Sequence, residues 1–537
     1  MRARELCARA PSFAAIGTAF VALLVPALGY VPIWDGHVYA TCAVQAAGAG
    51  LSFESLRCAG HPSQGYALLL ALGQLLRPGD VLMLHLTNVL LGLIALGCIR
   101  AVLACVFPAE AFARELDLVT LACAVHPVLL STLVQVNLDF GVYVFFFASL
   151  AALLRRRFGI MAVAGLFLCF SKETGVLAYA LILALYAVFI LAGDAPSIAA
   201  RLRRLVPMWI TMGPLLAFAA HVLWWNATHR QPAVWKHGWQ EGPLDGFKFF
   251  DLSEPIFQSY VASLFVLGFM WVLTLVIGTD ALVGVARAAR RRSSREVPGA
   301  DRQALAFVTV LSVVLIYLLT SYRTWTNVRY FALLYPLLVL LAFAALVRLH
   351  AARPVRLAAF AGIAVLFAWA TWRSVDPLSR AVYGSFSIGD REMYRMASIT
   401  GEYRGPGRDQ LVYNLEFTGY HSVQNALFMQ LHPTDSTSIG TARSSRWNIF
   451  SPLEAASFRR TMRQSGAVLP RYWDEESLLA AEPSARPHDV WFLAFSYRED
   501  ADSSLLTLDR LYRELPVMRA SASGHTIVAH HLELRAP

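Results

Sequence analysis

Residues 155–174 read RRRFGIMAVAGLFLCFSKET. Three arginines lead into the apolar run 158–170, and Lys172 and Glu173 then precede a second run, 175–193. Whether the first run crosses a bilayer decides the fold. At about 1.5 Å per residue it is roughly 20 Å long, short for a hydrocarbon core of about 30 Å. Charge settles the matter. RRR at 155–157 and RLRR at 201–204 carry the basic excess of cytoplasmic loops. Two segments on one side are separated by an even number of crossings, so both runs cross. Lys172 and Glu173 then lie in an outer turn between two helices.

Working outward, the other spans are 13–31, 81–104, 116–134, 139–154, 205–225, 257–278, 304–320, 328–347 and 355–373. Arg2, Arg4 and Arg9 put the N-terminus inside. An odd number of further crossings must then precede RRR, and three are already present. The short run SQGYALLLALGQLL (63–76) is therefore a helix lying at the outer membrane surface. The result is eleven spans, N-terminus inside and C-terminus outside. Cytoplasmic segments carry 19 Lys and Arg against 8 in the outer loops, which agrees. The first span has the basic start and apolar centre of a signal peptide. It lacks a small-x-small cleavage site and reads as an uncleaved anchor.

Composition agrees with this class. Of 537 residues, 57% are hydrophobic and only 15% charged, where a soluble domain carries about a quarter. An α-helical polytopic membrane protein is expected and a soluble fold excluded. The net charge of +10 collects in short loops between apolar runs, so it argues for membrane sidedness and not for nucleic acid. Residues 374–537 differ: no spanning run remains. LVYNLEF (411–417), VWFLAFSY (490–497) and TIVAHHLEL (526–534) read as strands. SPLEAASFRRTMRQSG (451–466) carries a capping box and a glycine stop, and DSSLLTLDRLYREL (502–515) is a second amphipathic helix. A small extracytoplasmic α/β domain follows the membrane domain of residues 1–373, whose outer loop 32–80 holds surface helices.

The seven cysteines show no metal-binding spacing. Cys42 and Cys58 fall in the first outer loop, on the oxidising side, and are expected to form a disulfide.

Polar groups gather on the outer face. The first loop offers Asp35, His37, Tyr39, Glu54, Arg57 and His61; the second, Gln135, Asn137 and Asp139; the third, Lys172 and Glu173. The fourth, 226–256, is long and aromatic, and the fifth carries Arg323, Arg329 and Tyr330. Ionisable groups at membrane depth cost several kcal/mol and are usually placed for function. Each has a plainer reading. Asp35 and Asp139 could cap helices, Lys172 and Glu173 could pair with each other, Arg329 could snorkel, and His221 could be a core histidine. Together, carboxylates able to take a hydroxyl proton and cations able to hold a phosphate suit a reaction on a lipid-linked phosphate.

The order of these motifs resembles the GT-C class of integral-membrane glycosyltransferases, in particular protein O-mannosyltransferases and the aminoarabinose transferases of lipid A. The resemblance covers roughly residues 10–375. It rests on WDGHVYA after the first span, HPSQGYALLLALGQLL, VNLDFGVYVFFFASLA, GLFLCFSKETG and NVRYFALLYPLLVL. It implies inverting transfer of a sugar from a polyprenyl-phosphate donor to a lipid, glycan or protein acceptor of the cell envelope, at the bacterial inner membrane. Asp35 would be the base and Asp139 a supporting acid. Lys172, Arg323 and Arg329 would be candidates for the phosphate, with His37, Tyr39, His61, Glu173 and Tyr330 lining the substrate site. Many relatives have two adjacent acids in the first loop, whereas Gly36 stands second here. That departure leaves a divalent metal as an open cofactor. Asp35 and His37 could share a divalent metal, but two ligands are too few to define a site. The alternative is a transporter or flippase of an envelope precursor, although no inverted repeat is visible.

Overall fold

The computed structural model describes residues 3–25, 28, 35–58, 61–77, 80–192, 197–229, 249, 255–289, 297, 299–322, 328–372, 438–441, 471–495, 500–522 and 525–535. Among these, six helices are long and apolar enough to cross a membrane. They are Leu82–Val106, Glu173–Ala192, Ile198–Thr228, Leu267–Ala289, Arg302–Ser321 and Arg353–Thr371. A bent helix pair makes a seventh if its two halves are one span. Ala109–Ala124 and Pro127–Val134 meet at a 49° bend, because Pro127 cannot donate into the preceding helix and instead starts a new one, with the His126 ring accepting from the Val128 N–H. Four shorter apolar helices, Phe13–Leu24, Leu138–Leu154, Phe158–Cys169 and Leu334–Arg348, occupy the remaining predicted spans.

The helices pack around one large apolar core. Outward-facing Leu90, Ile160, Leu223, Leu282 and Val365 are each more than half exposed, a belt that only lipid can cover. After α1 (Ala3–Leu24), two helices lie within the predicted first loop: α2 (Asp35–Ala49) and α3 (Gln64–Leu76). At 13 residues α3 is too short to span. Its start is pressed onto the end of the helix Phe158–Cys169. The Gly65 N–H donates to Phe170 O at 2.6 Å, and a Cβ on Gly65 would stand 2.8 Å from Phe167 O. Only glycine allows this approach, which brings the 61–64 loop beside the turn that carries Lys172 and Glu173.

The C-terminal region holds a six-stranded mixed sheet: β1 (Ser438–Thr441), β2 (Arg471–Asp474), β3 (Asp489–Phe495), β4 (Tyr512–Glu514), β5 (Met518–Ala522) and β6 (His525–Leu534). The order is β2-β1-β3-β6-β4, with β5 also pairing β6. β1 is parallel to β2 and β3, whereas β6 is antiparallel to its partners. Val490, Phe492 and Leu532 share a small core with Leu478 and Leu508, from the helices Glu475–Ala480 and Asp500–Leu508. The strands read at 490–497 and 526–534 match β3 and β6. The helix read over 502–515 does not: it stops at Leu508, and Tyr512–Glu514 forms β4, because the fully buried Tyr512 is taken into the sheet core. The strand read at 411–417 and the helix at 451–466 lie outside the described residues.

Candidate active site

The helix Leu138–Leu154 is entered through a loop with one backbone outlier, Val136 at φ 54°. A β-branched residue resists this region by about 1–2 kcal/mol, so surrounding packing must impose it. Val136 is fully buried. The kink presents Asn137 and Asp139 to two cations from elsewhere in the chain. Lys172 Nζ donates to both oxygens of Asp139, at 2.8 and 3.0 Å. Arg329, on the 3₁₀ turn Val328–Phe331, places Nε 3.3 Å from Asp139 Oδ2 and donates from Nη1 to Asn137 Oδ1 at 3.0 Å. Asn137 Nδ2 in turn donates to Gln135 Oε1 at 3.2 Å. The Lys172 ammonium also lies 4.2 Å from the centroid of the Tyr330 ring. The side chains of Asp139, Lys172 and Arg329 are 6%, 9% and 12% exposed. Asp139 is thus shared by two cations drawn from distant parts of the chain.

A second group adjoins it through the Lys172–Glu173 peptide. His61 Nδ1 lies 2.9 Å from Glu173 Oε2, and the Tyr39 ring stands edge-on to His61 at 6.3 Å. Lys172 and Glu173 therefore do not simply satisfy each other; each has its own partner. His61 is positioned by its own loop: its N–H donates to Cys58 O at 2.9 Å, and the Cys58 N–H donates to the Ser63 hydroxyl at 2.8 Å. The expected disulfide joins Cys42 of α2 to Cys58, with Cα atoms 5.9 Å apart.

A third group lacks any role in the sequence reading. The Arg57 guanidinium lies 4.1 Å from the Trp225 centroid, and Trp225 stacks on His229 at 3.8 Å. His229 Nε2 is 3.6 Å from Glu54. Burial pushes the Arg57 pKa down, and the nearby Glu173 carboxylate opposes that shift. His221 is a core histidine, ringed by Phe53, Phe170 and Trp225.

Asp35 is the first residue of α2. The side chains of Asp35 and His37, and the whole of Arg323, lie outside the described residues. Position 35 is nonetheless located by its neighbour. A Cβ on Gly36 would stand 1.6 Å from Gln135 O, so the start of α2 touches the loop that presents Asn137 and Asp139. A second acid could not occupy position 36 without moving that loop. Asn137 was missed as a partner of Arg329, since a sequence separation of 192 gives no signal. At this end of the bundle, no three His, Cys, Asp or Glu ligand atoms among the described residues converge as a metal site.

No family model matches the sequence, and no curated protein matches it. The fold is shared with solved structures, among them two of one protein. One is ArnT from Cupriavidus metallidurans bound to undecaprenyl phosphate, with TM-score 0.56, 14% identity, and coverage of 95% of this chain and 97% of that one. The other is the same protein in the apo state, with TM-score 0.54, 14% identity and the same coverage. At this identity the likeness establishes the fold, which is of the GT-C type that the motif order implied.

Proposed function

We propose that this protein is a membrane glycosyltransferase that moves a sugar from a polyprenyl-phosphate donor to an envelope acceptor on the non-cytoplasmic face, with inversion. The observation that carries the reading is the buried pair of cations, Lys172 and Arg329, held at fixed spacing by Asp139. Guanidinium and ammonium donors converging on one point suit a phosphate that gains charge as the sugar departs. Undecaprenyl phosphate bound to a protein of the same fold adds support for this ligand class.

In this reading Asp35 is the general base. It stands at the head of a helix packed on the loop that orients the cations. An acceptor hydroxyl would pass its proton to Asp35 as its oxygen attacks the sugar carbon. The carbon–phosphate-oxygen bond breaks, and the electron pair stays on the phosphate beside Lys172 and Arg329. Asp139 then acts by setting the distance between the cations. His61 and Glu173 extend the site toward the acceptor, and the C-terminal region is an extracytoplasmic domain. The topology would be that of a bacterial inner-membrane protein with its N-terminus inside.

The test is to supply purified protein in detergent with a polyprenyl-phosphate-linked sugar and extracted envelope lipids, glycans or proteins. Sugar transfer with stoichiometric release of polyprenyl phosphate supports the reading. Uptake of the lipid-linked precursor into proteoliposomes without any transfer would favour the transporter alternative.

A further inference from the structure

The C-terminal sheet carries a cluster of charges with no part in the site above. β3 and β6 pair so that Asp489 stands directly opposite Glu533 and Trp491 opposite His531. Since strand side chains alternate, these four project from the face turned away from the small core of Val490, Phe492 and Leu532. Two carboxylates placed directly across a ladder repel each other, and a sheet keeps such a pair only where positive charge neutralises it. Here the flanking groups are chosen for nitrogen. His488 Nδ1 is 2.9 Å from Asp489 Oδ2, and His531 Nε2 is 3.0 Å from Asp489 Oδ1. His531 is held flat on the Trp491 ring at 4.4 Å. Arg513, on β4, contacts Glu533 through Oε2.

We infer that His488, Asp489 and Glu533 form a divalent metal site of zinc type on this sheet. Their ligand atoms already lie within 4.8 Å of one another. Donors on one zinc ion at bonds of about 2.0–2.1 Å stand roughly 3.3 Å apart, so rotamer adjustment alone closes the set. One imidazole and two carboxylates suit zinc, whereas calcium and magnesium take oxygen donors. Binding exchanges the proton on His488 Nδ1 for the metal. Both Arg513 contacts fall on Glu533 Oε2, which leaves Oε1 for the ion. His531 donates to Asp489 and orients it, so it is a positioning residue and not a ligand. His488 and Asp489 are exposed, which leaves the fourth position to water.

The experiment uses the full chain without a histidine tag, stripped with chelator and titrated with zinc alone. Zinc content by mass spectrometry and affinity by calorimetry are the readouts. Wild type should bind one zinc more per chain than Asp489→Asn or His488→Ala. His531→Phe keeps the stacking surface but not the nitrogen, and should weaken that zinc about 10–100-fold. Arg513→Ala removes a competing cation and should tighten it; a cluster serving only as surface salt bridges would bind no zinc in either form. Equal zinc content in wild type, Asp489→Asn and His488→Ala would overturn the assignment.

Discussion

The charge group around Asp139 allows the phosphate assignment to be tested without knowing the sugar or the acceptor. Asp139→Asn keeps shape and one hydrogen-bond acceptor but removes the negative charge. Lys172 and Arg329 would then face each other across a site where their side chains are about one-tenth exposed. Removing one partner from a buried pair costs about 3–5 kcal/mol. For a domain of this size that amounts to a fall of roughly 4–6 °C in melting temperature. A phosphate seated between the two cations restores the missing negative charge. Added polyprenyl phosphate should therefore stabilise Asp139→Asn by several degrees more than it stabilises wild type, while the uncharged polyprenol should not discriminate. Thermal unfolding in detergent, followed by size-exclusion fluorescence, reads both effects. If the variant is destabilised yet responds equally to polyprenyl phosphate and polyprenol, the cations are structural and the phosphate assignment fails. If it melts like wild type in every condition, the pair is not buried in the way its geometry indicates.

Three other outcomes are expected. Asp35→Asn should leave expression and donor binding near normal while sugar transfer falls by at least about a hundredfold, because Asn caps a helix about as well as Asp but accepts no proton. Full transferase activity in that variant would reduce Asp35 to a cap. Gly36→Ala must displace the Gln135 carbonyl, which lies 1.6 Å from the new Cβ. It should lower the rate of transfer more than it lowers stability, and unchanged kinetics would disconnect α2 from the cation loop. Cys42→Ser opens a disulfide of sequence separation 16, which is worth about 3 kcal/mol in the chain-entropy model. Its melting temperature should drop to match that of reduced wild type, and reductant should then have no further effect on it.

What the sequence made legible is what depends on neighbours along the chain. The spans follow from apolar length, and arginine clusters such as RRR at 155–157 supply the expected sidedness. The disulfide followed from that sidedness. Pairing across the chain was not legible. Lys172 could have paired with Glu173 beside it; it pairs with Asp139, 33 residues away, because the helices Leu138–Leu154 and Phe158–Cys169 pack closely. Likewise, Glu173 takes His61 because Gly65 lets α3 press onto Phe167 and Phe170. The absence of a second acid at position 36 looked like a departure from a pattern. In three dimensions it marks a contact too close for any side chain. Periodicity misled in one place: DSSLLTLDRLYREL keeps a helical period throughout, but burial of Tyr512 overrides it after Leu508.

The same close contacts bear on the choice between transferase and transporter. Alternating access requires helices that change neighbours around a central site. Here the candidate groups sit at helix ends and are tied by short, inflexible links. Gly65 is seated against carbonyls of the helix Phe158–Cys169 and its C-cap, Gly36 against Gln135, and the disulfide fixes α2 to the loop that carries His61. Val136, in a conformation its side chain resists, holds Asn137 and Asp139 on the cations. Strain and disulfides of this kind suit preorganisation, in which dipoles and charges stand in place before a transition state forms. They are poorly suited to a site that must open in turn to each side of a membrane. The geometry around Lys172 and Arg329 is therefore better matched to holding a leaving phosphate still than to carrying a substrate across.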